Sequence, residues 1–338
     1  MADMKTKYLG LTLKNPVVVA ASSLTATPTG VKKAADAGAG AVVLKSLFEE
    51  QLRADIQSVG GSAGESHPEA DAYLAEMGMH AGSGEYLKLI REAKAAADIP
   101  VIASVNCIGG PWWTEFAEQV GKSGADALEL NIAFLSTSPD ETASSLEDRV
   151  VQIVRTARAA SGLPVSVKLG SQYTNLLNLA SRLSSAGAGG LVLFNRFFRM
   201  DIDLSTLGLM AGPVHSKPED YHESLRWISL LFGRVPCDLA AGTGVHDYAS
   251  ALKVILAGAR AVQVCSVVYQ KGYGVIREIL TGMETWLDQR KAAGLDDIRG
   301  KLSRFTSRSP ADYEREKKSF AGAGFEVVTA ANAFWWQR

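Results

Sequence analysis

Two marks recur along the chain, each leading into a short apolar run. Glycine, at Gly38, Gly124, Gly187 and Gly258, precedes Ala41-Val42-Val43-Leu44, Ala127-Leu128-Glu129-Leu130, Gly190-Leu191-Val192-Leu193 and Ala261-Val262-Gln263-Val264. Proline, at Pro16, Pro100, Pro164 and Pro236, opens four further runs. The marks alternate strictly, with the prolines 84, 64 and 72 residues apart and the glycines 86, 63 and 71 apart. Each interval fits two strand-helix units. Proline is tolerated at the first residue of a strand and glycine suits the left-handed stop of a helix before one, so both belong at strand entrances. Eight strands are predicted, beginning near 16, 41, 101, 127, 165, 190, 237 and 261. Amphipathic helical patterns fill the intervals at 84–97, 114–122, 145–160, 174–185, 218–232 and 247–257. Strands alternating with helices argue for a parallel sheet, and eight such units for an α/β fold of the TIM (β/α)8 barrel type. A doubly wound open sheet is the other arrangement of such units, and the regular alternation of marks disfavours it. Leu9, Leu11 and Leu13, alternating around Gly10, predict a hairpin that floors the barrel.

The 338 residues exceed the roughly 250 that a barrel typically needs. The division expected is a barrel over 1–295 and a charged C-terminal extension over 296–338 that ends in the apolar Phe334-Trp335-Trp336. Part of the excess also falls in 46–83, too long for a simple connection and readable as a lid or interface loop. With 35 basic and 36 acidic residues the net charge is −1, which predicts no nucleic-acid partner and no attraction to an anionic membrane surface. No stretch reaches the roughly 18 apolar residues of a membrane span. Cys107, Cys237 and Cys265 form no CxxC pair, which argues against a local metal or iron–sulfur cluster and for a reducing, cytoplasmic setting. His67, His215, His222 and His246 lack metal-ligand spacing and read as solvated loop or helix positions.

Barrel enzymes carry their chemistry at the C-terminal ends of the strands. Those positions are Ala21-Ser22, Lys45-Ser46, Asn106, Asn131, Lys168, Asn195, Gly242-Thr243-Gly244 and Cys265-Ser266. Gly242-Thr243-Gly244 and Cys265-Ser266 follow the seventh and eighth strands, where barrels commonly bind phosphate. They are not a dinucleotide fingerprint, because Asp247 stands where a third glycine belongs. A cofactor anchored there would lay its ring toward Lys45, Asn131 and Lys168, and a flavin fits that description. The other chemistry open to such a barrel is a Schiff-base aldolase with Lys168 or Lys45 as nucleophile.

These pieces resemble the dihydroorotate dehydrogenase superfamily of FMN barrels over about residues 5–295. The resemblance rests on Leu13-Lys14-Asn15-Pro16, Ala20-Ala21-Ser22, Leu44-Lys45-Ser46, Met77-Gly78-Met79, Glu129-Leu130-Asn131, Val167-Lys168-Leu169, Ala211-Gly212-Pro213, Gly242-Thr243-Gly244 and Gln263-Val264-Cys265-Ser266. It implies FMN contacts at Ala21, Ser22, Lys45, Asn131, Lys168, Gly212, Thr243, Gly244, Cys265 and Ser266, with Asn106 and Gly242 beside them. It also implies a small-molecule substrate, a homodimer, a role in pyrimidine biosynthesis, and a substrate contact at Asn195. The family takes a hydride from dihydroorotate onto flavin N5, while a Cys or Ser base three residues after the fourth-strand Asn removes a proton. Here that position is Phe134, which cannot accept a proton. Ser136 is the first candidate for a substitute base, with Ser138 and His80 behind it. The family's substrate-binding Asn falls at Ala81, or at His80 with a shift of one. The expectation is an FMN oxidoreductase with altered base and substrate; a flavin-binding scaffold without turnover is the third reading.

Overall fold

The computed structural model describes residues 2–48, 83–106, 111–132 and 134–314, with the side chains of 111–113 left aside. Most of 46–83, with His80 and Ala81, lies outside the described residues, as do Cys107 and Phe334-Trp335-Trp336. Eight parallel strands close into a barrel: β1 (Val17–Val19), β2 (Ala41–Val43), β3 (Val101–Asn106), β4 (Ala127–Asn131), β5 (Val165–Leu169), β6 (Ala188–Leu193), β7 (Asp238–Ala241) and β8 (Ala261–Val264). β8 pairs with β1 through Val262↔Val17, which completes the ring. The α/β barrel predicted from the proline and glycine marks is the fold observed. β6 begins at Ala188, two residues before the predicted start, because the glycine pair Gly189-Gly190 continues the strand.

Alternation along each strand sorts the side chains. One set, including Val17, Val19, Leu128, Leu130, Val167 and Leu191, packs outward against the helices. The other set, Val18, Ala41, Val43, Ile102, Ala127, Val192, Ala240 and Ala261, fills the barrel interior and packs on Tyr8, Leu9 and Leu13. Those last three come from the antiparallel hairpin Thr6–Tyr8 and Leu11–Leu13, which turns through left-handed Leu9 (φ 54°) and Gly10 (φ 76°). The hairpin is the predicted floor, and Leu9 N–H is pinned by Asp238 Oδ2 at 2.8 Å.

The chain beyond the last long helix, Gly274–Gln289, returns to the bottom of the barrel. Asp3 N–H donates to Ala293 O (2.8 Å), and Arg299 reaches Thr6 Oγ1 (3.0 Å) and Ala259 O. Leu295, Ile298 and Ser303 are buried there, so residues 295–303 pack on the barrel. Between β6 and the helix Tyr221–Leu231 stands a ribbon, Met200–Asp203 paired with Gly208–Ala211, that the sequence pattern did not announce. Ile202, Leu204, Leu207 and Leu209 are exposed on it. Among the described residues no helix is long and apolar enough to cross a membrane.

Leu13 is fully buried at the point where hairpin and barrel interior meet. Truncating it leaves a cavity that the surrounding strands cannot collapse into, so Leu13→Ala is expected to cost about 2–5 kcal/mol. Denaturant unfolding checks this; a midpoint unchanged from wild type would mean that the hairpin does not seal the core.

Candidate active site

The same alternation that places Ala127 inside the barrel places Glu129 and Asn131 inside above it. In-register pairing then carries Ser166 beside Glu129 and Lys168 beside Asn131, while Asn106 flanks Asn131 on the other side. On β8 the inward series runs Ala261, Gln263, Cys265. The upper barrel is therefore polar, although every strand that builds it is apolar on its outer face.

Lys168 Nζ donates to Gln263 Oε1 at 2.9 Å, and Gln263 Nε2 donates to Glu129 Oε2 at 2.5 Å. Glu129 is fully buried, and its Oε1 lies 3.9 Å from Lys168 Nζ without a hydrogen bond. Burial pushes the Glu129 carboxyl above its usual range, against the opposing pull of Lys168 and the Gln263 hydrogen bond. Lys168 and Gln263 face a cavity of about 470 Å³ at the mouth, which is also bordered by Ala21, Asn195, Ser216, Gly242-Thr243-Gly244 and Cys265-Ser266.

The far wall is built from glycine and small residues for packing reasons. Thr243 and Gly244 are both left-handed (φ 62° and 82°), and a Cβ on Gly244 would stand 2.1 Å from Tyr221 N. Thr243 accepts this backbone because its hydroxyl donates to Phe194 O at 2.9 Å. Ser266 Oγ accepts from Ser216 N–H at 3.0 Å. Burial raises the Cys265 thiol above its ordinary value, offset in part by Ser22 and by the charge of Lys168.

The structure brings Ala21, Lys168, Asn195, Gly242, Thr243, Gly244, Cys265 and Ser266 to one cavity. Asn131 joins them through Asn195, whose Nδ2 donates to Asn131 Oδ1 at 2.8 Å. Ser22 caps the following turn, accepting from Leu24 N–H at 3.3 Å. Asn106 is half-buried at the β3 exit, and Gly212 closes the exposed ribbon by donating to Arg199 O at 2.7 Å. Lys45 stands exposed at the β2 exit, outside the cavity wall.

Phe134 and Ser136 belong to a different neighbourhood. Phe134 borders a separate cavity of about 140 Å³ with Tyr173 and Phe197, under the Arg149 guanidinium 4.4 Å from its ring centroid. Ser136 Oγ donates to Glu141 Oε2 at 2.6 Å, and Glu141 also pairs with Arg149 at 2.8 Å. The Ser136 hydrogen bond, more than Arg149, holds the Glu141 carboxyl below its ordinary value.

Two features escaped the sequence reading. Glu129 and Gln263 stand in Glu129-Leu130-Asn131 and Gln263-Val264-Cys265-Ser266, and counting inward by two from Asn131 and Cys265 identifies both. His246, read as a solvated position, is instead 5% exposed, with Nε2 2.8 Å from Ser216 Oγ. The residue follows the Gly242–Gly244 turn in the chain, and its ring meets Ser216 from a segment 30 residues away while its N–H donates to Ser250 Oγ at 3.2 Å. His215 and His222 do remain outside the core.

A family model described as dihydroorotate dehydrogenase matches residues 3–287 of the chain. Similar proteins include the dihydroorotate dehydrogenase B (NAD(+)) catalytic subunit of Methanocella arvoryzae, 31% identical over 86% of this chain and 95% of that protein. They also include a putative dihydroorotate dehydrogenase A (fumarate) of Aeropyrum pernix, 29% identical over 88% and 97%. A third, the B-type catalytic subunit of Thermoplasma volcanium, is 27% identical over 89% and 98%.

Burial lowers the His246 pKa below its ordinary 6.5, aided by Lys271 and opposed by Asp247, Asp220 and Glu219. Its unfolded form therefore binds the proton first, so its contribution to stability is complete above 6.5 and falls away as pH drops through the lowered folded value. Thermal melts at pH values above and below that window should show a loss on acidification that His246→Gln diminishes. An identical pH dependence in both proteins would show that His246 is not held neutral.

Proposed function

The chain belongs to the dihydroorotate dehydrogenase family, and on that premise we propose that it is an FMN-dependent oxidoreductase. It moves a hydride between a small, pyrimidine-like substrate and flavin N5, with its own base and substrate preference. The observation that carries this reading is the union of Lys168 with the Gly242–Gly244 and Cys265-Ser266 turns around one cavity of about 470 Å³.

The residues suit FMN on chemical grounds. Glycine and serine at the β7 and β8 exits leave room for a phosphate approached by backbone N–H groups. Lys168 would supply a cation to balance the negative charge of a reduced ring, and Asn195 and Asn131 would supply amides able to donate or accept. Bound there, the flavin would supply the two-electron acceptor. Lys168 would orient the ring and balance its charge. Asn131 and Asn195, locked to each other, would orient the substrate. Thr243 would keep the loop open, with its own hydroxyl spent on Phe194 O.

The proton on the substrate needs an acceptor other than Phe134. Ser136 is our candidate, because the Glu141 carboxylate at 2.6 Å can receive the hydroxyl proton as Ser136 takes one from the substrate. Proton transfer and hydride transfer together remove two hydrogens from adjacent carbons, leaving a double bond. Ser136 does not border the Lys168 cavity, which favours a second reading at this point alone, a flavin-binding scaffold without turnover.

Protein purified with FMN should be yellow, and under anaerobic conditions dihydroorotate should bleach it only if Ser136 serves as the replacement base. Ser136→Ala should keep the colour and lose the bleaching by at least about 100-fold, the usual weight of a general base. Gly244→Ala should weaken FMN binding, read by quenching of flavin fluorescence. A chain that takes up no FMN overturns the proposal, and colour without bleaching by any small donor selects the scaffold.

The assembly of two copies implied by the resemblance is part of the same proposal. Sedimentation velocity should report a dimer; a monomer at micromolar concentration would refute that element.

A further inference from the structure

Glu129 has no part in the chemistry proposed above, yet it is a carboxylate sealed inside the barrel with one oxygen unpartnered. Such a group is costly to bury unless it is paired and hydrogen-bonded, so its partners decide what it does there. Its other oxygen accepts from Gln263 Nε2 at 2.5 Å, and Gln263 Oε1 accepts from Lys168 Nζ at 2.9 Å. An ionised carboxylate can only accept, so it compels the Gln263 amide to turn its NH2 group inward and its oxygen toward Lys168. The ammonium is thereby held by an acceptor beneath the cavity floor, and a negative charge stands 3.9 Å behind it.

We propose that Glu129 is a positioning residue that acts through Gln263 on Lys168 and sets the reduction potential of a flavin held in the cavity. The proposal rests on the flavin reading above. A hydride brings two electrons and one proton, so the ring that receives it gains one negative charge. Lys168 stabilises that charge and Glu129 opposes it through a medium too dry to screen either. The balance between them decides how readily the bound ring is reduced.

The carboxyl is also a group that can change charge. Burial raises its pKa, with Lys168 and Gln263 resisting. The titratable groups around it are Lys168 on β5, Tyr8 of the floor hairpin and Tyr86 of the helix over 83–96; Cys265 lies beyond Lys168. Burial raises both tyrosines and the thiol, so all three stay neutral through the range in which a carboxyl titrates. His246, whose ring meets Ser216 on the cavity wall, also titrates near this range, so the part of the pH dependence that Glu129→Gln removes, with His246 unchanged, is the part that reports Glu129.

The test is the midpoint potential of the FMN-loaded protein, equilibrated against a reference dye during anaerobic dithionite titration at several pH values. Glu129→Gln should bind FMN, move the potential to a more positive value and flatten its pH dependence. Glu129→Met, neutral and of similar length, should move it the same way; this second variant decides the matter if the first fails to fold. Glu129→Asp, which keeps the charge, should restore most of the wild-type value. FMN-bound Glu129→Gln or Glu129→Met with wild-type potential at every pH would overturn the proposal. A wild-type chain that takes up no FMN would overturn the flavin reading instead, a result visible before any potential is measured.

Discussion

The strict in-out alternation of eight parallel strands is the constraint on which the rest of this molecule depends. Once Val18, Ala41, Ile102 and Ala240 are committed to the interior by the hairpin beneath them, the residues two places further along have no choice of side. A slip of one residue in β4 would turn Glu129 and Asn131 into the helical layer and bring Leu128 and Leu130 inside. The hydrophobic effect thus fixes the register, and the register delivers the polar groups of the upper barrel to one place. Packing at the bottom of the barrel and chemistry at its top are two ends of one ladder.

That ladder explains why so much could be read from residues alone. Pro16, Pro100, Gly124 and Gly258 act through backbone conformation, which is local, so they announce strand entrances without knowledge of the partners. Lys168 and the Gly242–Gly244 turn were legible because barrels place chemistry at strand ends. Glu129 and Gln263 were visible as letters but not as a pair, since their contact joins positions 134 residues apart and exists only after closure. His246 differs from its expected exposure for a related reason: the partner of its ring, Ser216, lies 30 residues away in the chain. The ribbon over 200–211 follows from long-range pairing of Met200 with Ala211, and its exposed apolar residues carry no periodic signature of burial.

The two halves of the site differ in how they are held. The wall formed by β5, β7 and β8 rests on backbone turns and buried hydrogen bonds, each tied into the barrel itself. The segment after β4 hangs outward, with Phe134 under Arg149 and Ser136 on Glu141, so its side chains answer to the helix Ala143–Ser161 as much as to the mouth. Phe134 suits that place because its ring lies under Arg149 and borders a cavity with Tyr173 and Phe197. The wall around Lys168 and the segment after β4 are therefore held by different parts of the fold.

The decisive measurement is a crystal structure of the protein grown with FMN. The phosphate is expected against Gly242-Thr243-Gly244 and Ser266, with the ring edge beside Lys168. Density for FMN elsewhere on the barrel, or an empty cavity at saturating FMN, would contradict it.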